Sequence, residues 1–267
     1  MNKYLIVPDV HGRSFWREPV YECLNNSKDT KIIFLGDYLD PYENIKEIAF
    51  VTFEEIIDLK NEFPDRIILL IGNHDLHYIY NRQSGCRMDY ERRLDIANLF
   101  DENKDIFDAC YFDVINDKNI IFSHSGFVKG WVENYLNLIT TTDKEKCDIN
   151  FELLRSIDWN KKLFEDKLDC LEDCSAFRGG WSHNSSFMWA DVMEMLLTAE
   201  HIDAIQIFGH SQQKSDPINY KDFLYCLDCR QCFFINDKAE VTYLDGSKVK
   251  ENGTSIRDNY IHVFFGY

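Results

Sequence analysis

Short apolar runs alternate along this chain with longer stretches in which apolar residues recur every three or four positions. Lys31–Leu35 is the clearest run, of the kind that forms a strand buried on both faces. An earlier run at Lys3–Val7 predicts a first strand, followed by a helix near Ser14–Asn26 with Ser14 as N-cap. Between Asn44 and Phe63 the residues Ile45, Ile48, Ala49, Ile56, Leu59 and Phe63 form a helical stripe, which Pro64-Asp65 ends. Arg66–Ile71 reads as a third strand. This β-α-β-α-β alternation builds a mostly parallel sheet with right-handed crossovers.

The pattern then changes. A polar, aromatic stretch reaches Arg93, and a helix continues through Phe100. Ala109–Val114 and Asn119–Ser123 read as strands around an Asn116-Asp117 turn. Residues 127–200 carry helical segments rich in Asp, Glu, Lys and Trp, broken at Arg178-Gly179-Gly180, and read as an insertion lying over the strand ends. From Ala204 the strand pattern returns: Ala204–Phe208, Phe223–Leu227, Gln231–Ile235, Glu240–Leu244 and Ile261–Phe265, a largely antiparallel group. With no linker and no internal repeat, the expectation is one α/β domain over residues 1–267 with a helical insertion at about 127–200.

The residues just beyond each run matter more than the runs themselves. Tyr4–Val7 leads into Pro8-Asp9-Val10-His11-Gly12, and Lys31–Leu35 into Gly36-Asp37 with Asp40 beyond. The third run ends in Gly72-Asn73-His74-Asp75, and the two later ones in Ser123-His124-Ser125-Gly126 and Gly209-His210-Ser211-Gln212. Strand ends of α/β sheets are where ligands bind. Any one of these residues alone is a turn or cap residue. Five runs each ending in Asp, Asn or His point instead to a metal centre built from Asp9, His11, Asp37, Asn73, His124 and His210. Two cations about 3.5–4 Å apart need a bridging carboxylate, and Asp37 at the central strand end is placed for it. The mix of carboxylate, amide oxygen and imidazole suits two divalent ions such as Mn, Fe or Zn, with Mn preferred, over Ca or Mg.

Charge narrows the partners. Acidic residues outnumber basic ones 46 to 29, a net −17, which argues against an extended nucleic-acid footprint. An anionic substrate stays open, because bound cations would dominate the local field. No apolar run approaches the roughly 20 residues that span a bilayer, and the N-terminus enters a strand directly, leaving no room for a signal peptide. A cytoplasmic location with nine reduced cysteines is the expectation. Cys226, Cys229 and Cys232, with Cys170 and Cys174, fit no zinc-knuckle spacing and read as packed thiols. His77, His183, His201 and His262 fall outside the ligand pattern, and the acidic run Glu165–Asp173 reads as a solvated helix face.

The order D-x-H, G-D-x-x-D, G-N-H-D, S-H-S-G, G-H, running from residue 9 to residue 212, resembles the calcineurin-like metallophosphoesterases. Within them it resembles the serine/threonine protein phosphatase branch and its bacterial and phage relatives. Asp9-Val10-His11-Gly12 is similar to that branch's D-x-H-G, Arg178-Gly179 to its R-G, and Cys226-Leu227-Asp228 to the strand L-D that comes after G-H. The resemblance implies a sandwich of two mixed β-sheets flanked by helices and a dinuclear phosphatase acting on phosphate monoesters, phosphoserine or phosphothreonine among them. It implies that Asp9, His11 and Asp37 hold one ion, and that Asp37, Asn73, His124 and His210 hold the other. A water bridging the ions would attack phosphorus, and His74, paired with Asp40, would protonate the leaving oxygen. Arg178 would bind phosphate. Pro41 and Ile71 stand where the family carries arginines, so Arg13, Arg82 or Arg87 would complete the clamp. Gln212 stands where other branches have a second histidine. The partner implied is a phosphoprotein or a small phosphoester. Two other readings remain open: a nucleotide-directed hydrolase acting on a dinucleoside polyphosphate or cyclic nucleotide, and a non-catalytic scaffold.

Overall fold

The computed structural model describes residues 1–43, 45–139, 149–198 and 202–265. The chain opens with β1 (Asn2–Val7), α1 (Arg17–Asn26), β2 (Lys31–Phe34), α2 (Lys46–Glu62) and β3 (Ile67–Leu70), the alternation expected of a parallel sheet. The first helix begins at Arg17 and not at Ser14. Pro19 sits in its first turn, where a missing N–H costs nothing, and no side chain caps it. Asn44, the expected start of α2, lies outside the described residues.

Next come α3 (Asn73–Ile79), α4 (Arg93–Glu102), β4 (Phe107–Asp108), β5 (Tyr111–Ile115) and β6 (Lys118–Phe122). Between β6 and the later strand β7 (Ile205–Phe208) the described residues hold α5 (Lys129–Ile139), α6 (Phe151–Ser156), α7 (Val192–Leu197) and several short turns of tighter or wider helix. The acidic run Glu165–Asp173 is broken into two of those turns and forms no single helical face. The chain finishes with β8 (Ile218–Tyr220), β9 (Leu224–Cys226), β10 (Phe233–Asn236), β11 (Val241–Thr242) and α8 (Gly253–Phe265).

Two mixed sheets form. The six-stranded sheet runs β11-β10-β1-β2-β3-β4 and the five-stranded sheet β5-β6-β7-β9-β8. β1, β2, β3 and β4 are parallel, with Val7 beside Phe34 and Phe34 beside Leu69. The second sheet is parallel at its centre, β6 to β7 to β9. Its edges β5 and β8 are antiparallel. The closing strands therefore do not make one antiparallel group. The chain leaves the second sheet after Cys226 and enters the first at Phe233, where β10 pairs antiparallel to β1.

Period-two alternation sorts the core. Tyr4, Ile6, Ile33, Leu35 and Leu70 face the space between the sheets, against Phe122, Ile207 and Tyr225. Leu5, Val7, Ile32, Phe34 and Leu69 face the helical layer with Val20, Phe53 and Ile56. With both faces covered, truncating one of these residues to Ala costs about 2–5 kcal/mol.

One expected strand is a helix. Ile261–Phe265 continues α8, because the run is entered from a helix start: the Glu251 carboxylate accepts from the backbone and hydroxyl of Thr254. Gly253 lies against β8, where a Cβ would come within 2.7 Å of the Tyr220 Cβ. Among the described residues no helix is long and apolar enough to cross a membrane.

Candidate metal centre

Three of the five strand ends turn through strained backbone. His11, Asp37 and His210 all have positive φ, at 45°, 53° and 63°, as does Asp40 at 57°. Side-chain-bearing residues hold the left-handed region only when their surroundings force them to, and such strain collects at functional sites. The turns also approach each other closely. A Cβ on Gly72 would stand 2.2 Å from Asp37 Oδ1, and one on Gly209 would stand 2.1 Å from Asp9 Oδ1. Only glycine lets these carboxylates lie against backbone.

The six expected ligands converge and are buried: Asp9, His11, Asp37, Asn73, His124 and His210. Asp37 sits between two groups. Its Oδ2 is 3.5 Å from His11 Nε2 and 3.5 Å from His124 Nε2. Donor atoms of Asp9, His11 and Asp37 lie within 4.8 Å of one another, and so do those of Asp37, His124 and His210. Asn73 joins the second group, with its Oδ1 2.8 Å from His124 Nε2 and 2.9 Å from His210 Nδ1. Donors on a shared octahedral ion at about 2.1 Å stand about 3 Å apart, so these spacings fit a cation.

The imidazoles are aimed by backbone. His11 Nδ1 faces the Leu39 carbonyl at 2.7 Å, and His124 Nδ1 faces that of Leu35 at 2.8 Å. Placing the proton on each Nδ1 leaves both Nε2 lone pairs facing Asp37. His210 is fixed instead through its backbone N–H, which donates to Asp9 Oδ1 at 2.9 Å. Burial pushes His11 down to about 3 and His210 well below its ordinary value, so both are neutral, as ligation requires. Burial pushes Asp9 up. At Asp37 burial acts the same way, but the surrounding histidines outweigh it and hold the carboxyl below its usual range.

Asp75 carries the turn between β3 and α3. Its carboxylate accepts from the backbone N–H groups of Gly72 (2.8 Å), Asp37 (2.9 Å) and Tyr38 (3.2 Å). It thereby ties the Asp37 turn to the Asn73 turn. The strand-end pattern assigns it no role, although an acid three residues after a helix's first flanking residue is a capping-box signal.

His74 comes directly after Asn73 but turns away from the ligands. Its backbone N–H donates to Asp37 Oδ1 at 2.9 Å, and its Nδ1 lies 2.9 Å from Asp40 Oδ2. Tyr78 donates its hydroxyl to the other oxygen of Asp40. Burial disfavours a charged His74, but Asp37 and Asp40 outweigh it and the net shift is upward. Its Nε2 is 3.1 Å from Arg87 Nη2.

The expected arginines separate. Arg178 Nη2 donates to the His210 carbonyl (2.9 Å) and to Ser211 Oγ (3.0 Å), while its Nε pairs with Asp191 at 2.9 Å. Arg13 lies 5.2 Å from the Tyr42 ring, with all three guanidinium nitrogens buried and without a hydrogen-bond partner. Arg82 is tied to Glu172 and Asp169. Gln212 is exposed, and with its amide turned so that the oxygen accepts, Arg230 donates to it at 3.0 and 3.2 Å. The eight described cysteines are free thiols, and Cys226, Cys229 and Cys232 are buried. Cys226 Sγ lies 3.3 Å from the carbonyls of Gly209 and Ser211, packed beneath the His210 turn. His77 is buried beside His74 and Trp189, His183 and His262 are exposed, and His201 lies outside the described residues.

The family described as calcineurin-like phosphoesterase matches residues 3–214. A probable serine/threonine-protein phosphatase of Encephalitozoon cuniculi (strain GB-M1) is 30% identical over 162 residues, 58% of this chain and 33% of the relative. The chain thus spans about a third of the length of that curated relative. Among solved structures, a protein serine/threonine phosphatase from Saccharomyces cerevisiae superposes with a TM-score of 0.51 at 13% identity, covering 88% of this chain and 73% of that one. A cold-active protein tyrosine phosphatase does so at 0.50 and 15% identity, covering 94% and 81%. With these two structures the chain shares the fold.

Proposed function

The chain belongs to the calcineurin-like phosphoesterase family, and on that footing we propose that it is a dinuclear-metal phosphatase hydrolysing phosphate monoesters, phosphoserine or phosphothreonine among them. The observation that carries the reading is the sharing of Asp37 Oδ2, at 3.5 Å, between two groups of buried donors. Asp9, His11 and Asp37 would hold one divalent ion, and Asp37, Asn73, His124 and His210 the other, with Mn preferred and Fe or Zn compatible. The pair would supply an activated water and neutralise phosphoryl charge.

The chain's own residues supply the rest. Arg178, anchored beside His210, presents a guanidinium to phosphoryl oxygens, and Arg13 has a guanidinium whose nitrogens make no hydrogen bond within the protein. Arg82 has its donors on Glu172 and Asp169 and takes no part. His74 delivers a proton to the leaving oxygen, with Asp40 and Tyr78 fixing the ring from behind. We place the enzyme in a reducing compartment such as the cytoplasm, on the strength of its free thiols.

The test pairs metal analysis with a substrate panel: phosphoserine and phosphothreonine peptides, a dinucleoside polyphosphate and a cyclic nucleotide. Two divalent ions per chain and preferred turnover of the phosphopeptides are expected. Preference for either nucleotide would move the enzyme to the nucleotide-directed class. Two bound metals with no turnover of any member would leave a scaffold.

A further inference from the structure

Arg87 lies in the loop between α3 and α4, in the left-handed region at φ 59°, and belongs to none of the strand-end turns. Its guanidinium is nevertheless built into the site. Nε donates to the Asp40 carbonyl at 2.9 Å, Nη2 meets His74 Nε2 at 3.1 Å, and Cζ lies over the Tyr42 ring, 3.7 Å from its centroid. Tyr42 in turn stands edge-on to the ligand His11, with ring centroids 5.3 Å apart. The His11 ring is 5.2 Å from that of His74. Contacts therefore run from the candidate ligand His11 through the Tyr42 ring to the Arg87 guanidinium.

We propose that Arg87 is a substrate-anchoring residue that, opposite Arg178, selects dianionic phosphate monoesters over phosphodiesters. The inference rests on the phosphoesterase reading of the site. Arg178 flanks the donor cluster at His210, and Arg87 flanks it at His11 and His74. An anion between them meets a guanidinium at each end. Two of the five N–H donors of Arg87 are engaged, leaving others for a phosphoryl oxygen. Stacking on Tyr42 and the bond to Asp40 fix the side chain in advance, so little rotamer entropy is lost on binding. Arg87 Nη2 donates to the lone pair of His74 Nε2, so when His74 carries the proton it is to deliver, that N–H is released to a phosphoryl oxygen while the Asp40 carbonyl and the Tyr42 ring keep the guanidinium in place. A monoester dianion carries one more charge than a diester and gains more from the second cation.

The test is calorimetric binding of inorganic phosphate to the metal-loaded protein, which needs no turnover. Arg87→Ala should weaken phosphate by roughly 10- to 100-fold with metal content unchanged. Arg87→Lys should fall between, since it keeps the charge and loses the planar stack. In turnover, Arg87→Ala should raise KM for 4-nitrophenyl phosphate and reduce its kcat/KM far more than that for bis(4-nitrophenyl) phosphate. Unchanged phosphate affinity in both variants, or equal losses on the two esters, would overturn the anchor. Wild-type protein that binds phosphate but turns over neither ester would strike the phosphoesterase reading alone. Should Arg87→Ala fail to fold, Arg87→Gln and Arg87→Lys are read by the same binding measurement.

Discussion

The two ends of the candidate metal centre are held by different means. At the His210 end, Asn73 Oδ1 lies within 2.9 Å of two imidazole nitrogens, and Arg178 is locked by a carbonyl, a hydroxyl and the Asp191 carboxylate. At the His11 end the imidazole hangs from one backbone carbonyl, and the neighbouring Arg87 is held by an aromatic face and two hydrogen bonds. The first end is assembled from both sheets and from the segment between β6 and β7. The second comes wholly from the first ninety or so residues. The first end ties its arginine to three partners, while the second holds a guanidinium by the Asp40 carbonyl and the Tyr42 ring and leaves other N–H groups open to a substrate.

The largest effect should come from removing what the two ends share. Asp37→Asn takes away the charge common to both groups, so metal content should fall to one ion or none and turnover by several orders of magnitude. Elemental analysis beside a rate assay checks it, and full occupancy at a near-normal rate would return the bridge to another residue. Next in size is His74→Asn, which should keep both ions and cost about 10²–10⁴ in rate on alkyl phosphates. An activated aryl phosphate, which needs little protonation on leaving, should be largely spared, and Asp40→Asn should repeat the pattern more mildly. Equal losses on both substrates would assign His74 to charge neutralisation.

Arg178→Ala probes the first end alone. Losing a charge-assisted contact of about 1.5–3 kcal/mol should weaken substrate and inorganic phosphate together and leave the metals in place. If phosphate inhibition holds steady, the anchor lies with Arg13 or Arg87.

The last effect is on stability and leaves the rate aside. Asp228 is pushed up to about 9 by burial, with Asp9 and Asp37 adding and Arg13 and Arg230 opposing. An unfolded Asp releases its proton near pH 3.9, roughly, so between there and 9 the folded state holds an extra proton. That contribution is full below the unfolded value and is lost as pH rises. In chelated protein Asp228 therefore contributes a fall in the urea midpoint from about pH 5 to about pH 8, set against the rise that His11 and His210, neutral when folded, contribute below about pH 6.5, and Asp228→Asn should remove the fall. Restoring metal should raise the midpoint, because ions bind only the folded site. An unaltered slope in the variant would take Asp228 out of the account.

Much of this site was legible because its chemistry is local. A β-branched run followed by Gly and then Asp, Asn or His specifies a buried strand and the donor at its end, and both sit within a few residues of sequence. The same locality made β1, α2, β2 and β3 readable from period alone. It failed at Ile261–Phe265, where a β-prone run is carried on by a helix already started at Gly253. It failed too where the last strands split between the sheets, since pairing is chosen by partners far along the chain. Tyr78 and Asp191 gave no signal as supports, and Asp75 only that of a capping box, because what each does depends on a residue roughly 13 to 40 positions away.

Residue order alone was enough to say that six donors would gather at strand ends and that a histidine would stand beside them. Which arginine faces which end was settled by the packed molecule. Arg13, Arg82 and Arg87 look alike in sequence, where only Arg178 carries a motif, and long flexible side chains take their roles from the acceptors packing brings to them. For Arg82 that acceptor is Glu172, ninety positions away, and for Arg87 it is the carbonyl of Asp40 beneath the face of Tyr42.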